Sequence, residues 1–275
     1  MSRIAICAPA TPVTRDHAAA LGALVATEFP QHELFIHEQC FAVDGHFSGP
    51  DEVRLAALLD CANDPAFDAV WFAKGGYGSN RIAGQAIAGM NQAARAKTYA
   101  GFSDMGYLLG ALYRAGIGRP VHAPMPVSVQ SEAGKDAVRR VLRWFDGDGA
   151  GLEPSLDSRP AVAFNLMTLA MLCGTELMPD LTGHVVMVEE VSEHLYAIDR
   201  LFFHVTAHLR GIAGLRLGRI SDVPENDRPF GASPDEIARY WCARRDIPFL
   251  GAADIGHDPA NRIVPFGLAR GAAAQ

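Results

Sequence analysis

The chain has 275 residues, of which 49% are hydrophobic and 20% charged, and a formal net charge of −7. That balance predicts one large or two modest domains with real cores and excludes a disordered chain. The acidic surplus argues against nucleic acid or an anionic membrane as a partner.

Five Cys (Cys7, Cys40, Cys61, Cys173, Cys242) are widely spaced, with no C-x-x-C pair. This argues against a disulfide framework or a zinc site and for a reducing compartment. The opening apolar run is too short for a signal h-region, and no segment is long enough to span a bilayer. A cytoplasmic protein is the expectation.

Ile4 to Ala8 reads as a buried parallel strand closed by Pro9 and Pro12. His17 to Phe29 is an Ala/Leu-rich helix, Glu33 to His37 a second strand, and Phe41 to Gly49 a loop. Pro50-Asp51-Glu52 opens a helix over Val53 to Cys61, with Pro at its start and acids in its first turn. Phe67 to Ala73 is a third strand running into the glycine-rich turn Lys74-Gly75-Gly76-Tyr77-Gly78-Ser79-Asn80-Arg81. Thr98 to Gly101 runs into Phe102-Ser103-Asp104-Met105, and Gly106 to Tyr113 reads as a helix. Val121 to Met125 ends another strand, and Ser131 to Phe145 is helical.

The Gly-, Asp-, Ser- and Pro-rich stretch from Asp146 to Pro160 marks a domain boundary, giving residues 1–150 and 160–275. Beyond it come a strand at Ala161 to Asn165, a helix at Leu166 to Cys173, and a strand at His184 to Val188 followed by Glu189-Glu190. A helix over Ile198 to Leu209, a strand over Leu215 to Ser221, a helix over Pro234 to Arg245 capped by Ser233, and a strand over Pro248 to Ala252 complete the pattern. Alternating strands and helices imply an α/β fold with parallel sheets and ligands beyond the strands' C-terminal ends.

Both glycine-containing turns, at Gly75 to Gly78 and at Gly101 to Ser103, fall at such ends. A Ser between a strand and a helix is exposed by the tight turn, with the helix N-terminus facing developing negative charge. The same Ser also suits a plain helix cap, and Met105 breaks the G-x-S-x-G pattern. His257 lies among Gly256, Asp258, Pro259 and Asn261, which read as a loop; a base and a solvated loop His both fit. Glu189 and Glu190 directly follow four apolar strand residues; if the strand continues, one points inward and needs a partner. The Gly76 turn leaves a bare backbone N–H for an oxyanion. Tyr77 is a candidate pocket wall, and Arg81 and Arg200 are candidate carboxylate clamps, each equally readable as a surface residue. Cys7 has no neighbouring His or cation in sequence and reads as a buried structural thiol.

Taken together, these segments resemble the LD-carboxypeptidase family of serine peptidases, which includes murein tetrapeptide carboxypeptidases and microcin C immunity peptidases. IAICAPATPV is similar to the family's opening, and DGHFSGPDEVRLAALLDCANDPAFDAVWFAKGGYGSNRI to its long N-terminal block. AGFSDM resembles its nucleophile motif, FNLMTLAMLCGTELMPDLTGHVVMVEEV with YAIDR its central C-terminal block, and DIGHDPANRIVPFG its close. The chain departs from the pattern at Lys74, Met105-Gly106, Glu190 and Leu195.

The resemblance implies a Ser103–His257–Glu189 triad, with the backbone N–H groups of Asp104 and Gly76 as oxyanion hole. It implies a flavodoxin-like (class I glutamine amidotransferase-like) N-terminal parallel sheet, a smaller C-terminal α/β domain, a homodimer, and neither metal nor cofactor. The substrate it implies is a small peptide, a murein tetrapeptide losing its terminal D-Ala. A peptidyl-nucleotide amide is the second reading, and a non-catalytic small-molecule binder the third.

Overall fold

The computed structural model describes residues 2–267. Five parallel strands, β1 (Ser2–Cys7), β2 (His32–Ile36), β3 (Ala69–Phe72), β4 (Thr98–Gly101) and β5 (Arg119–His122), lie side by side in the order 2-1-3-4-5. The crossovers carry α1 (Arg15–Glu28), α2 (Asp51–Asn63), α3 (Ser79–Gly89) and α4 (Gly106–Ala115), and α5 (Glu132–Phe145) follows β5. A second sheet, also parallel, is built from β6 (Ala161–Asn165), β7 (Val185–Val191), β8 (Gly214–Ser221) and β9 (Phe249–Ala252), in that order. Helices α6 (Leu166–Leu172), α7 (Leu195–His208) and α8 (Pro234–Arg244) connect its strands. The fold is thus α/β, with two parallel-rich sheets in two lobes. Among the described residues no helix is long and apolar enough to cross a membrane.

The continuous apolar runs become strands because both faces are covered. Every residue of β3, β4 and β6 is buried, as helices on either side of a parallel sheet require. At the edge, β2 alternates between buried or half-buried and exposed positions. Local signals start some helices: Thr14 and Ser233 each form a reciprocal capping box, with His17 and Glu236.

One α-helix and one strand were not foreseen. The stretch around Ser79 reads locally as a turn, yet α3 begins there. Its cap comes from another segment: the Asp104 carboxylate accepts from the Gly78 N–H at 3.3 Å and the Ser79 N–H at 2.9 Å. The other is β10 (Val264–Pro265), a two-residue strand that returns from the C-terminal lobe and pairs antiparallel with β5. It is too short to show any periodicity.

The lobes share one apolar core. Tyr107, Leu108 and Leu109 of α4 join Phe164, Leu169 and Leu172 of the second lobe in a single buried cluster. A Cβ on Gly106 would sit 2.8 Å from the Thr168 methyl and 3.2 Å from Phe164, so a larger side chain there would push the lobes apart.

Candidate active site

The turn at Ser103 is built from strain and close approach. β4 ends at Gly101, and Ser103 then takes φ +61°, a left-handed conformation that costs a non-glycine residue on the order of 1 kcal/mol or more. Its hydroxyl lies against the next loop. A Cβ on Gly75 would stand 3.0 Å from both Ser103 Cβ and Oγ, so only glycine lets the Gly75–Gly78 loop lie this close.

That loop is held from three directions. The Thr11 hydroxyl donates to the Gly75 carbonyl at 2.6 Å, which turns the Gly76 N–H to the opposite side of a trans peptide. The fully buried Arg54 guanidinium donates to the Gly78 carbonyl at 2.9 Å, to the Pro9 carbonyl and to Asp51. Asp104 ties the loop to the Ser103 turn by its carboxylate, and its carbonyl accepts from the Ser79 hydroxyl at 2.6 Å. Burial pushes the Asp104 carboxyl up, while the donors at Ser79 and Gly78 and the Arg54 charge pull it back. The N–H groups of Gly76 and Asp104 have no hydrogen-bond acceptor among the described residues.

The second lobe supplies the facing side chains. His257 Nε2 stands 3.0 Å from Ser103 Oγ, and its Nδ1 stands 2.5 Å from Glu189 Oε2. The imidazole keeps 17% of its surface and the Glu189 side chain none. Burial pushes the Glu189 carboxyl up, opposed by its hydrogen bond to His257. The Phe102 ring packs 4.9 Å from the imidazole, restricting its tilt.

His257 sits on a tied loop, not a free one. Arg219 bonds Asp254 Oδ1 at 2.5 Å and also grips Asp258. Arg140 donates to the carbonyls of Pro259 and Asn261 at 3.0 and 2.8 Å. Asn261 Oδ1 accepts from the Gly256 N–H at 3.2 Å and lies 3.0 Å from His122 Nε2. His122 is fully buried beneath Phe102, and burial pushes its pKa down to about 4, so it is a neutral donor to Asn261.

The two acids at the end of the second-lobe strand have different partners. Both lie inside β7, which runs on to Val191, and both are buried. A register shift against β8 between Val188 and Glu190 breaks the simple in–out alternation. Glu189 turns to His257. Glu190 accepts from Asn165 Nδ2 at 2.6 Å, the Met167 N–H at 2.8 Å and the Val191 N–H at 2.9 Å, so it caps α6.

The other sequence candidates lie apart from this line of contacts. Tyr77 is half-exposed, packs 6.1 Å from both His46 and Phe47, and lines a cavity of about 440 Å³ with Asn80, Tyr107 and Met171. The Arg81 guanidinium is engaged by Asp51, its Nε at 3.1 and 2.8 Å from the two carboxylate oxygens. Arg200 is exposed over the Tyr196 ring and has no ion pair among the described residues. The Cys7 thiol is buried and pushed well up by its contact with Cys61 and by desolvation. Thr11, Arg54, His122 and Asn261 were not singled out as site residues, although Thr11, Arg54 and Asn261 lie in the segments that carried the resemblance.

Comparison with known proteins covers nearly the whole chain. Residues 4–123 match the LD-carboxypeptidase N-terminal domain and residues 160–270 the LD-carboxypeptidase C-terminal domain. The chain belongs to the LD-carboxypeptidase family. As a member it is a carboxypeptidase-type hydrolase.

A murein tetrapeptide carboxypeptidase of Pseudomonas aeruginosa is 26% identical over 291 residues, covering 96% of this chain and 91% of that one. Among solved structures, a muramoyltetrapeptide carboxypeptidase from Oxalobacter formigenes superposes with a TM-score of 0.79 at 23% identity, covering 98% and 96% of the two chains. MccF in complex with glutamyl sulfamoyl guanosine has the same fold, with a TM-score of 0.78 at 17% identity over 97% of this chain and 91% of that one.

Proposed function

We propose that this LD-carboxypeptidase family member is a serine peptidase that hydrolyses an L–D amide bond beside a free carboxylate, as in release of the terminal D-Ala from a murein tetrapeptide. The observation that carries the reading is the continuous hydrogen-bond line from Ser103 through His257 to Glu189. With Nδ1–H donated to Glu189, the Nε2 lone pair faces the Ser103 hydroxyl and takes its proton as Oγ attacks the carbonyl carbon. A desolvated Glu189 carboxylate holds the tautomer and stabilises the imidazolium. The imidazolium then protonates the departing amine, and water, deprotonated by the same imidazole, releases the acyl group from Ser103.

The N–H groups of Asp104 and Gly76 serve as the oxyanion hole, each typically contributing roughly 3–4 kcal/mol to the transition state. Arg54, Thr11 and the Asp104 carboxylate keep those donors in position before substrate arrives. Tyr77, Arg81 and Arg200 are the substrate contacts of this reading. Arg200 is the clamp that needs no ion pair broken, whereas Arg81 must share or leave Asp51. In the same reading residues 1–150 form a flavodoxin-like nucleophile lobe, on the strength of the 2-1-3-4-5 strand order. Residues 160–275 carry Glu189 and His257, and the enzyme is a cytoplasmic homodimer that uses no metal for hydrolysis.

Incubation with murein tri-, tetra- and pentapeptides, followed by mass spectrometry, tests substrate and bond together. Loss of one D-Ala from the tetrapeptide is the expected product. Ser103→Ala should lower turnover by about 10⁴-fold or more while leaving the fold intact. Undiminished cleavage by that variant would end the mechanism. A second reading, a peptidyl-nucleotide amide as substrate, is favoured by the half-exposed Tyr77 beside His46, aromatic surface on which a base can stack. An aminoacyl-sulfamoyl nucleoside offered beside the tetrapeptide separates the two.

A further inference from the structure

Three side chains outside the triad converge where α6 and α7 end. Cys173 caps the C-terminus of α6, and His204 and His208 lie four residues apart in the last turns of α7. That spacing puts both imidazoles on one helix face. A ligand-capable atom from each of the three lies within 4.8 Å of the other two.

In a parallel sheet the helix that follows a strand runs back toward the strands' N-terminal edge. Glu189 sits near the C-terminal end of β7, and α7, which follows it, has 14 residues, a run of roughly 20 Å. Along α6 the separation from Ser103 is shorter: the Thr168 hydroxyl lies 3.4 Å from the Ser103 carbonyl, and Cys173 follows five residues on, roughly 8 Å of helix.

Last-turn histidines have an ordinary role, since a cationic side chain interacts well with a helix C-terminus. Two further observations go beyond it. The rings of His204 and His208 approach to 4.4 Å between centroids, close for two groups that would repel if both were charged. His208 Nδ1 lies 2.9 Å from the His204 carbonyl, which can only accept, so Nδ1 donates there and Nε2 is the nitrogen left to face a ligand. A metal-binding imidazole is commonly oriented in this way, its other N–H donated to a backbone carbonyl. Cys173 is almost wholly buried, His204 half-buried and His208 exposed, so the cluster is open on one side. A cavity of about 270 Å³ lined by Gly174, Asp180 and Arg210 borders His208.

We propose that Cys173, His204 and His208 form a zinc site that clips the ends of α6 and α7 together, with water as the fourth ligand. Thiolate and imidazole donors suit Zn²⁺ and not Mg²⁺ or Ca²⁺, which prefer oxygen. Tetrahedral Zn²⁺ with bonds of about 2.0–2.3 Å needs donors roughly 3.3–3.7 Å apart. Side-chain rotation of about an ångström closes the present spacing. The local sequence gave no C-x-x-C because the thiol and the imidazoles come from different helices, 31 and 35 residues apart.

Titration of untagged, metal-free protein with Co²⁺ is the first test. One equivalent should bind and produce thiolate-to-cobalt charge-transfer absorption. Cys173→Ser should abolish that absorption, and the surface double variant His204→Ala/His208→Ala should weaken Zn²⁺ binding by at least 10-fold against a competing chelator. Zn²⁺ should raise the melting temperature of the wild type and of neither variant, with Ser103-dependent turnover unchanged at one equivalent. Absence of thiolate absorption, or equal Zn²⁺ affinity in wild type and the double variant, would overturn the site. Circular dichroism of each variant confirms that the comparison is between folded proteins.

Discussion

The two lobes prepare their halves of the site by different physics. The N-terminal lobe works with backbone: a serine in a left-handed conformation, glycines that admit close approach, and N–H groups aimed by side chains behind them. The C-terminal lobe works with side chains: a desolvated carboxylate, an imidazole between two partners, and a loop tied by Arg219. Strain and desolvation are both unfavourable where they stand, and each persists because neighbouring contacts leave the group no alternative. Backbone N–H groups fixed by such contacts need no reordering to stabilise developing charge, whereas proton transfer needs a titratable group such as an imidazole.

The largest effect should come from separating the two adjacent acids. Glu189→Gln removes the charge behind His257 and should lower kcat by about 10⁴-fold with little change in folding. Glu190→Gln should leave kcat within about 3-fold but lower stability by about 1–2 kcal/mol, since it weakens the cap on α6. Steady-state kinetics and urea unfolding on the pair decide it; equal kinetic damage from both would erase the distinction drawn here.

Next comes the support of the backbone half. Arg54→Met should cost about 3 kcal/mol, because the Pro9 and Gly78 carbonyls and Asp51 lose a shared buried donor. It should also lower kcat more than it raises KM, since the Gly76 N–H drifts. A stability loss with unchanged kcat would show that the loop holds its shape without Arg54.

A comparable but pH-dependent effect belongs to a support that β5 of the N-terminal lobe lends to the His257 loop through Asn261. His122 has an ordinary value of 6.5 and is held down to about 4 in the folded chain. Between those values the unfolded chain takes up a proton that the folded chain refuses. Its share of stability is therefore complete above 6.5 and falls as pH drops toward 4, by up to about 3 kcal/mol. His122→Gln keeps a donor for Asn261 without titrating, so stability plotted against pH should be flatter over that window. An unchanged slope would assign acid sensitivity to other groups.

The smallest effect tests the strain directly. Ser103→Gly relieves the left-handed φ, while Ser103→Ala keeps it. The glycine variant should be the more stable by about 0.5–1 kcal/mol, after its greater unfolded-state entropy is allowed for. Thermal unfolding of the two variants measures this; an alanine variant equal to or more stable than the glycine one would mean the turn carries no strain.

Composition, strand–helix alternation and the family-like segments were enough for an α/β chain of this family and for Ser103, Glu189 and His257 as candidates, because each carries a local mark. Ser103 follows an apolar run and precedes a helix, Glu189 ends an apolar strand, and His257 sits among turn residues. The cap on α3, the return of β10, the burial of both glutamates and the tie from His122 through Asn261 to Gly256 had no such mark. Each depends on groups distant along the chain: Asp104 lies 25 residues from Ser79, and His122 139 from Asn261. Sequence periodicity reports which face of an element avoids water. Which polar group meets which, and at what angle, is decided only when the two lobes close on a shared core, because hydrogen bonds are directional and hydrophobic burial is not.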